Sequence, residues 1–319
     1  MTRILNAEPL GYSEEARKII VSLGKLHEKA LSRSELIRVI KKYDILITRF
    51  GFKIDRDVLD AATSLKFIVT PTTGLDHIDM EYARKKGIEV ISLQGETEFL
   101  RTVVATAEHT WALLLALIRR VPWAFQSVLK GEWKRDSFRG NELEGKRLGI
   151  LGLGRLGEKV AFYGIAFGMK VMAYDPYRQT WPDGIRRCFN LRELLSRSDI
   201  FSIHLPLNNE TKGLIGRKEL KTLPKGAIVI NASRGPVLDS LALAGLLSSG
   251  HLGGAALDVL EGEGKDFKRQ RQNRLLLAYA RKNENLLITP HLGGATKESM
   301  AKTEIFIANK LKKHLDSLR

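Results

Sequence analysis

The stretch LGILGLGRLGEKVAFYGIAFGMKVMAYDP, Leu148 to Pro176, decides the reading of this chain. It opens on an apolar run, Leu148–Leu151, and turns through Gly152, Gly154 and Gly157. It then continues into Lys159–Phe167, where apolar residues recur at helical spacing. A second apolar run, Lys170–Tyr174, ends at Asp175, 18 residues beyond Gly157. Strand, glycine turn, helix, strand and terminal acid is the order of a βαβ unit that holds a dinucleotide. Gly152 permits the tight turn, Gly154 lets a pyrophosphate approach the backbone, and Gly157 lets the helix pack against the sheet. Arg155 and Leu156 complete the turn, and the helix start offers its N–H groups to the phosphates. Asp175 can accept hydrogen bonds from the ribose hydroxyls and would repel a 2′-phosphate, which favours NAD(H) over NADP(H). Arg178 lies close by and weighs in the other direction.

Outward from this stretch, strand-like and helix-like runs alternate almost throughout. Upstream strands are expected at Arg3–Asn6, Asp44–Thr48, Lys66–Thr70 and Glu89–Ser92. Helices are expected at Glu14–Leu23, Glu35–Lys42, Arg56–Ala62 and Met80–Lys86, the second opened by a Ser32/Glu35 capping box. A long apolar-faced helix is expected over Glu98–Arg120, then a charged segment with Trp123 and Trp133. Downstream strands are expected at Ile200–His204, Ala227–Asn231, Gly254–Asp258 and Leu286–Thr289, and a last amphipathic helix at Lys297–Leu318. Such alternation argues for an α/β protein with parallel sheets wrapped in helices, and here for two of them.

Composition narrows the function classes. The chain has 319 residues, 44% hydrophobic and 28% charged, as a globular protein of two domains should. No apolar run approaches the roughly 20 residues that span a bilayer. The N-terminus turns polar too early for a signal peptide, and the one cysteine, Cys188, suits a reducing compartment, so a cytoplasmic protein is expected. The net charge is +16. The basic residues are spread along the chain, and the densest run, Lys265 to Arg274, has Phe267 as its one aromatic. That argues for a small anionic ligand rather than nucleic acid. No metal and no membrane partner are expected.

Three later stretches carry chemistry. INASRGPVLD puts Arg234 just beyond a strand end. ALDVLEGEG puts Asp258 at the next strand end and Glu263 five residues on. LITPHLGGAT puts His291 after Pro290 at the last. Ligands of open α/β sheets collect outside the carboxyl ends of the strands. An arginine, an acid and a histidine are therefore expected on one edge.

These stretches resemble the D-isomer-specific 2-hydroxyacid dehydrogenases. PTTGLDHIDMEYARKKGIEV is similar to that family's substrate loop and ATAEHTWALLLAL to its interdomain helix. GKRLGILGLGRLG, IHLPLN, NASRGPVLD, GAALDV and TPHLGGAT are similar to its cofactor-domain signatures. The resemblance implies a Rossmann NAD domain, 99–293, inserted into a discontinuous flavodoxin-like substrate domain, 1–98 and 294–319. It implies a homodimer through the NAD domains, with the Trp123–Trp133 segment in the contact. It implies Arg234, Glu263 and His291 as the catalytic set. Arg234 would hold the carboxylate of a 2-keto acid, with the backbone of Gly74 and Leu75. His291 would pass the proton, and Glu263 would balance its charge. Asp258 would bind the nicotinamide carboxamide, and His204, Pro206, Ala232, Ser233 and Gly294 would complete the cofactor site.

Phosphoglycerate enzymes of this family meet the substrate phosphate with two arginines spaced R-x-R. Here the stretch is TRFGF, with Arg49 present as a candidate substrate contact and Gly51 in the second place. The last helix closes the stretch that the resemblance covers, so the regulatory domain of the longer phosphoglycerate enzymes is not expected, and Glu263 stands where formate dehydrogenases of the superfamily have glutamine. The alternative reading is an NAD-sensing interaction module of the corepressor type, with little turnover.

Overall fold

The computed structural model describes residues 1–263 and 267–318. Lys265 and Asp266, in the basic run noted above, lie outside the described residues. The chain divides into two compact units, Met1–Val103 with Ala295–Arg319, and Val104–Gly294.

The first unit alternates β1 (Arg3–Asn6), α1 (Glu14–Leu23), β2 (Lys25–Glu28), α2 (Arg33–Val39), β3 (Ile45–Ile47), α3 (Arg56–Ala61), β4 (Phe67–Val69), α4 (Met80–Lys85), β5 (Glu89–Ile91) and α5 (Thr97–Arg101). The second unit runs through α6 (Ala105–Ile118), α7 (Val121–Leu129), β6 (Arg147–Leu151), α8 (Arg155–Ala166), β7 (Lys170–Tyr174), β8 (Arg186–Arg187), α9 (Leu191–Arg197) and β9 (Ile200–Ile203). It continues with α10 (Arg217–Thr222), β10 (Ala227–Asn231), α11 (Ser240–Ser248), β11 (Leu252–Leu257), α12 (Arg271–Ala280) and β12 (Leu286–Ile288). The chain then returns to the first unit as α13 (Lys297–Ser317).

Both sheets are parallel. The first has the order β2-β1-β3-β4-β5, the doubly wound order of flavodoxin-like domains. The second has the order β12-β11-β10-β9-β6-β7-β8, the Rossmann order with one strand added beside β11. Successive strand side chains point to opposite faces, so each strand feeds two cores. Leu5 and Leu46 enter the layer under α2, α3 and α4, whereas Ile4, Ile45 and Ile47 enter the layer that α1 and α13 cover with Ile20, Ile307 and Leu311. In the second unit Leu148, Ile150 and Ile200 pack with Trp111 of α6 and Val160 of α8. Leu151, Phe201 and Ile203 pack on the other face with Leu243 of α11 and Leu276 of α12. Burial on both faces is why these strands read as continuous apolar runs.

The broken long helix and two unexpected strands depart from the sequence reading. The expected helix over Glu98–Arg120 is two helices, broken at Thr102–Val104. That β-branched run is a poor helix former, and α5 ends in a tight turn where Thr102 N–H and Val103 N–H donate to Phe99 and Leu100 carbonyls three residues back. The compact units meet at Val103/Val104 and Gly294/Ala295, and α5 buries Leu100 in the first unit's core. Two strands, β2 and β8, stand where none was expected. Their sequences, KLHE and RR, carry no apolar run; each is an edge strand paired to one neighbour, and Leu26 packs on the core under α1 and α13. The Ser32/Glu35 capping box is present, with Ser32 N–H donating to Glu35 Oε2 at 2.7 Å.

Candidate active site

The second sheet reverses its strand order between β6 and β9, and the glycine turn leaves β6 at that point. Gly152 has φ +87°, a conformation that favours glycine, and a Cβ on it would lie 2.7 Å from the His204 carbonyl oxygen. A Cβ on Gly157 would lie 2.1 Å from the Gly152 carbonyl oxygen, so α8 can approach the turn this closely with glycine alone. Gly154 differs: a Cβ there would meet nothing within 4 Å among the described residues. It is also the N-cap of the 12-residue α8 and, as glycine, brings no side chain of its own to the helix start. An open glycine over a helix N-terminus fits a pyrophosphate.

Asp175 follows β7. Its carboxylate accepts from Leu153 N–H and Tyr177 N–H, each at 2.9 Å, which fixes its position beside the turn. Arg178 is bound to Glu158 at 2.6 Å and to the carbonyl oxygens of Leu153 and Thr180. The cation nearest Asp175 in sequence is thus paired with an acid of α8.

The three candidate catalytic side chains all belong to loops at the carboxyl edge of this sheet. Arg234 follows β10 and is half-buried. The buried Asn231, at the end of that strand, shapes its loop. Asn231 Oδ1 accepts from Ser233 N–H at 3.0 Å and Ser233 Oγ at 2.7 Å, and its amide donates to the Arg234 carbonyl at 3.0 Å. The next residue, Gly235, lies against the loop after β11, where a Cβ would fall 2.1 Å from the Leu260 carbonyl carbon. The loop bearing Arg234 and the loop bearing Glu263 therefore meet through a glycine. Glu263 Oε1 lies 2.6 Å from His291 Nδ1. His291 itself has φ +55°, a strained backbone for a residue with a Cβ.

Asp258 holds that strained turn in place. It is 1% exposed. Its Oδ1 accepts from Leu292 N–H at 2.8 Å and Thr289 Oγ1 at 2.6 Å, and lies 3.1 Å from His109 Nε2. Its Oδ2 accepts from Gly293 N–H at 2.8 Å, and the Asp258 carbonyl accepts from His291 N–H at 2.8 Å. Burial works to raise the Asp258 pKa. The hydrogen bonds from His109, Thr289 and the backbone of Leu292 and Gly293 outweigh it and hold the carboxyl below its usual range. Both Asp258 oxygens thus serve the 289–293 turn.

Sequence reasoning missed Asn231, His109 and Thr289. Asn231 carries a local signal, an asparagine at a strand end whose side chain can mimic a turn. His109 carries none, because helix α6 brings it to Asp258 across 149 residues of sequence.

The remaining candidates are placed as follows. His204 and Pro206 follow β9. His204 Nε2 lies 2.8 Å from Ser202 Oγ, and burial pushes its pKa down to about 4, so it is neutral near pH 7. Ala232 and Ser233 lie between Asn231 and Arg234. Gly294 follows the His291 turn, and a Cβ there would meet nothing within 4 Å among the described residues. In the first unit, Gly74 and Leu75 follow β4, where Thr72 Oγ1 donates to the Gly74 carbonyl at 3.0 Å. Arg49 follows β3, and its guanidinium is engaged by the buried Glu304 and the Leu10 carbonyl. Among the described residues no cluster of His, Cys, Asp and Glu could hold a metal.

The glycine turn after β6 and the loops bearing Arg234, Glu263 and His291 thus lie on the carboxyl edge of one parallel sheet. The chain belongs to the D-isomer-specific 2-hydroxyacid dehydrogenases: the family model for their NAD binding domain matches residues 111–293. It is 37% identical to a D-3-phosphoglycerate dehydrogenase of Methanocaldococcus jannaschii, over 99% of this chain and 58% of that one. It is 33% identical to a hydroxypyruvate reductase of Thermotoga maritima, over 95% of each. A D-lactate dehydrogenase from Aquifex aeolicus, solved with NAD and lactic acid, superposes with a TM-score of 0.85 at 29% identity, covering 99% of this chain and 97% of that one. The chain spans between 49% and 58% of the length of the phosphoglycerate dehydrogenases it matches.

Proposed function

We propose that this protein interconverts 2-keto acids and D-2-hydroxy acids with NAD(H). The observation that carries this reading is the 2.6 Å contact between Glu263 and His291 on the sheet edge that also bears Arg234. The glycine turn, the α8 N-terminus and Asp175 would hold the cofactor, with His204, Pro206, Ala232, Ser233 and Gly294 around it. NADH, when bound, supplies the hydride. Arg234 offers a planar, two-pronged donor to the substrate carboxylate and the adjacent carbonyl oxygen. Glu263 takes Nδ1 of His291, which assigns Nε2 the task of giving the carbonyl oxygen its proton. The carboxylate also stabilises the imidazolium that reduction consumes and oxidation forms. Asp258 positions His291 rather than touching the reacting atoms. We assign the first unit to substrate binding. Asp175 supports NAD(H) over NADP(H), since the neighbouring Arg178 is paired with Glu158.

The reading extends to a second copy of the chain. Helix α7 leaves Phe125 and Leu129 exposed at 59% and 64%, with Trp133 beyond it at 85%. Such an apolar face on the NAD-binding unit fits a homodimer contact. Sedimentation of a Phe125→Glu/Trp133→Glu variant should then give monomer where the native protein gives dimer. The single cysteine supports a cytoplasmic location.

The testing experiment is NADH oxidation with glyoxylate, pyruvate, hydroxypyruvate and larger 2-keto acids. Turnover of at least one, with D-product stereochemistry, supports the reading. NADH binding without turnover on any of them would refute it.

A further inference from the structure

Strand β6 lies between β7 and β9 in the second sheet, so the loops leaving those two strands flank the glycine turn. Neighbouring strands are about 4.8 Å apart, which puts the starts of the two loops roughly 10 Å from each other. Both loops are anchored through their backbones. Asp175 accepts from Leu153 N–H and Tyr177 N–H, each at 2.9 Å, and so ties the loop after β7 to the glycine turn. In the loop after β9, Asn208 Oδ1 accepts from Glu210 N–H at 3.0 Å and from Thr211 N–H at 2.9 Å. Thr211 Oγ1 donates to the Pro206 carbonyl at 2.6 Å. A side-chain bridge joins the two loops across the strand between them: Tyr177 Oη donates to Glu210 Oε2 at 2.5 Å. The hydrogen bond to Glu210, and after it the charge of Glu210, hold the Tyr177 pKa above its ordinary value, so the hydroxyl stays a donor through the neutral range.

Both residues are exposed, Tyr177 at 76%. A hydrogen bond between two exposed side chains contributes little to folding, because water offers each of them the same bond. Its position is more telling. Tyr177 stands two residues beyond Asp175, which the cofactor reading gives to the adenosine ribose. The adenosine half would rest between the two loops, at the switch point of the sheet, with the bridge on its outer side.

We propose that Tyr177 and Glu210 form a clasp that closes over the adenosine half of the cofactor and slows its release. The clasp rests on the NAD(H) reading above and deepens it by adding how the cofactor is retained. Opening it takes rotation of two exposed side chains and leaves the anchored backbones in place. Its effect therefore belongs to the dissociation rate and not to the association rate.

The test follows NADH association and dissociation by stopped-flow fluorescence on the full chain. The proteins are the native one, Tyr177→Phe, Glu210→Ala, Glu210→Gln and the double variant Tyr177→Phe/Glu210→Ala. ADP-ribose, which keeps the adenosine half and lacks the nicotinamide, is titrated into each by calorimetry. Tyr177→Phe and Glu210→Ala should each raise the NADH dissociation rate about fivefold, change the association rate by less than about twofold and weaken ADP-ribose about fivefold. The double variant should release NADH no faster than either single one, since all three lose the same bond. Glu210→Gln still offers an acceptor and should stay within about twofold of native. Native dissociation rates in both single variants overturn the proposal. So do losses that add in the double variant, which would mean that the two residues act separately, and so does an ADP-ribose affinity that stays native while NADH release speeds up. A native protein that binds no NADH refutes the cofactor reading itself, and the clasp falls with it.

Discussion

The two units share one architecture and treat its ligand position in opposite ways. Each sheet is parallel and doubly wound, and each reverses its strand order once, β1 against β3 in the first and β6 against β9 in the second. In the second unit that point leaves room: a Cβ on Gly154, at the N-terminus of α8, would meet nothing within 4 Å among the described residues. In the first unit it is filled by Glu8, bonded to Thr48, Arg49 and Gly51. Topology thus fixes where a ligand can go, and a few residues at the strand ends fix whether a ligand or the protein takes the place.

The predictions that break or sharpen this contrast concern the second unit. The largest effect is expected from Arg234→Lys, which keeps the charge and loses the planar fork. kcat/KM for keto-acid reduction should fall on the order of a hundredfold or more, while the NADH dissociation constant stays within about twofold. Near-native turnover would remove Arg234 from the site.

Gly157→Ala comes next. Its Cβ would meet the Gly152 carbonyl oxygen at 2.1 Å, an atom of the backbone that cannot swing aside. Such overpacking costs about 1–3 kcal/mol and should weaken NADH binding by pushing α8 off the turn. Gly154→Ala makes the sharper comparison, since the protein leaves room for its Cβ. The folded state should tolerate it, and NADH binding should weaken. If Gly154→Ala destabilises the fold as much as Gly157→Ala, the second groove is not open.

Asp175→Ala should narrow the preference for NADH over NADPH by about tenfold in kcat/KM, or about 1.4 kcal/mol. An unchanged ratio would show that Asp175 serves the turn through its bonds to Leu153 and Tyr177 and not the cofactor.

The last effect is a pH dependence, absent near neutral pH and growing only as the medium turns acid. Burial lowers the His204 pKa from 6.5 to about 4. A histidine depressed in the folded state binds its proton more strongly when unfolded. Its contribution is therefore unaffected above about pH 6.5 and destabilises progressively as pH falls from 6.5 towards 4, by up to about 3 kcal/mol. Urea unfolding of native protein and His204→Gln should diverge over that window and run parallel above pH 7.

Much of this was legible in the sequence, for identifiable reasons. Strands buried on both faces announce themselves as apolar runs, and β7 and β10 begin and end at the residues their runs mark. The edge strands β2 and β8 were illegible because neither shows an apolar run; each pairs with one neighbour, and Leu26 of β2 alone packs against a core. Thr102 to Val104 broke an expected helix because an apolar face says nothing about where a β-branched run ends it. The residues of the Glu263–His291 contact could be picked out because both follow strand ends, where the topology concentrates loops. The support beneath them could not. Asp258 gathers four donors from the 289–293 turn and α6, and the positive φ of His291 appears only once the chain is folded. Glu8 was silent for the same reason, since its partners are 40 or more residues away and two of them are backbone N–H groups.

The central claim is that the edge of the second sheet delivers a proton through His291 under the charge of Glu263. Its most direct test is the steady-state rate of NADH oxidation with a saturating 2-keto acid for native protein, Glu263→Gln and His291→Ala, with NADH binding followed by fluorescence in each. The account predicts NADH binding within about twofold across all three. It predicts a rate lowered about 10²–10⁴-fold in His291→Ala, the range general acid–base catalysis supplies, and a smaller loss in Glu263→Gln. A His291→Ala protein that oxidises NADH at the native rate would contradict it.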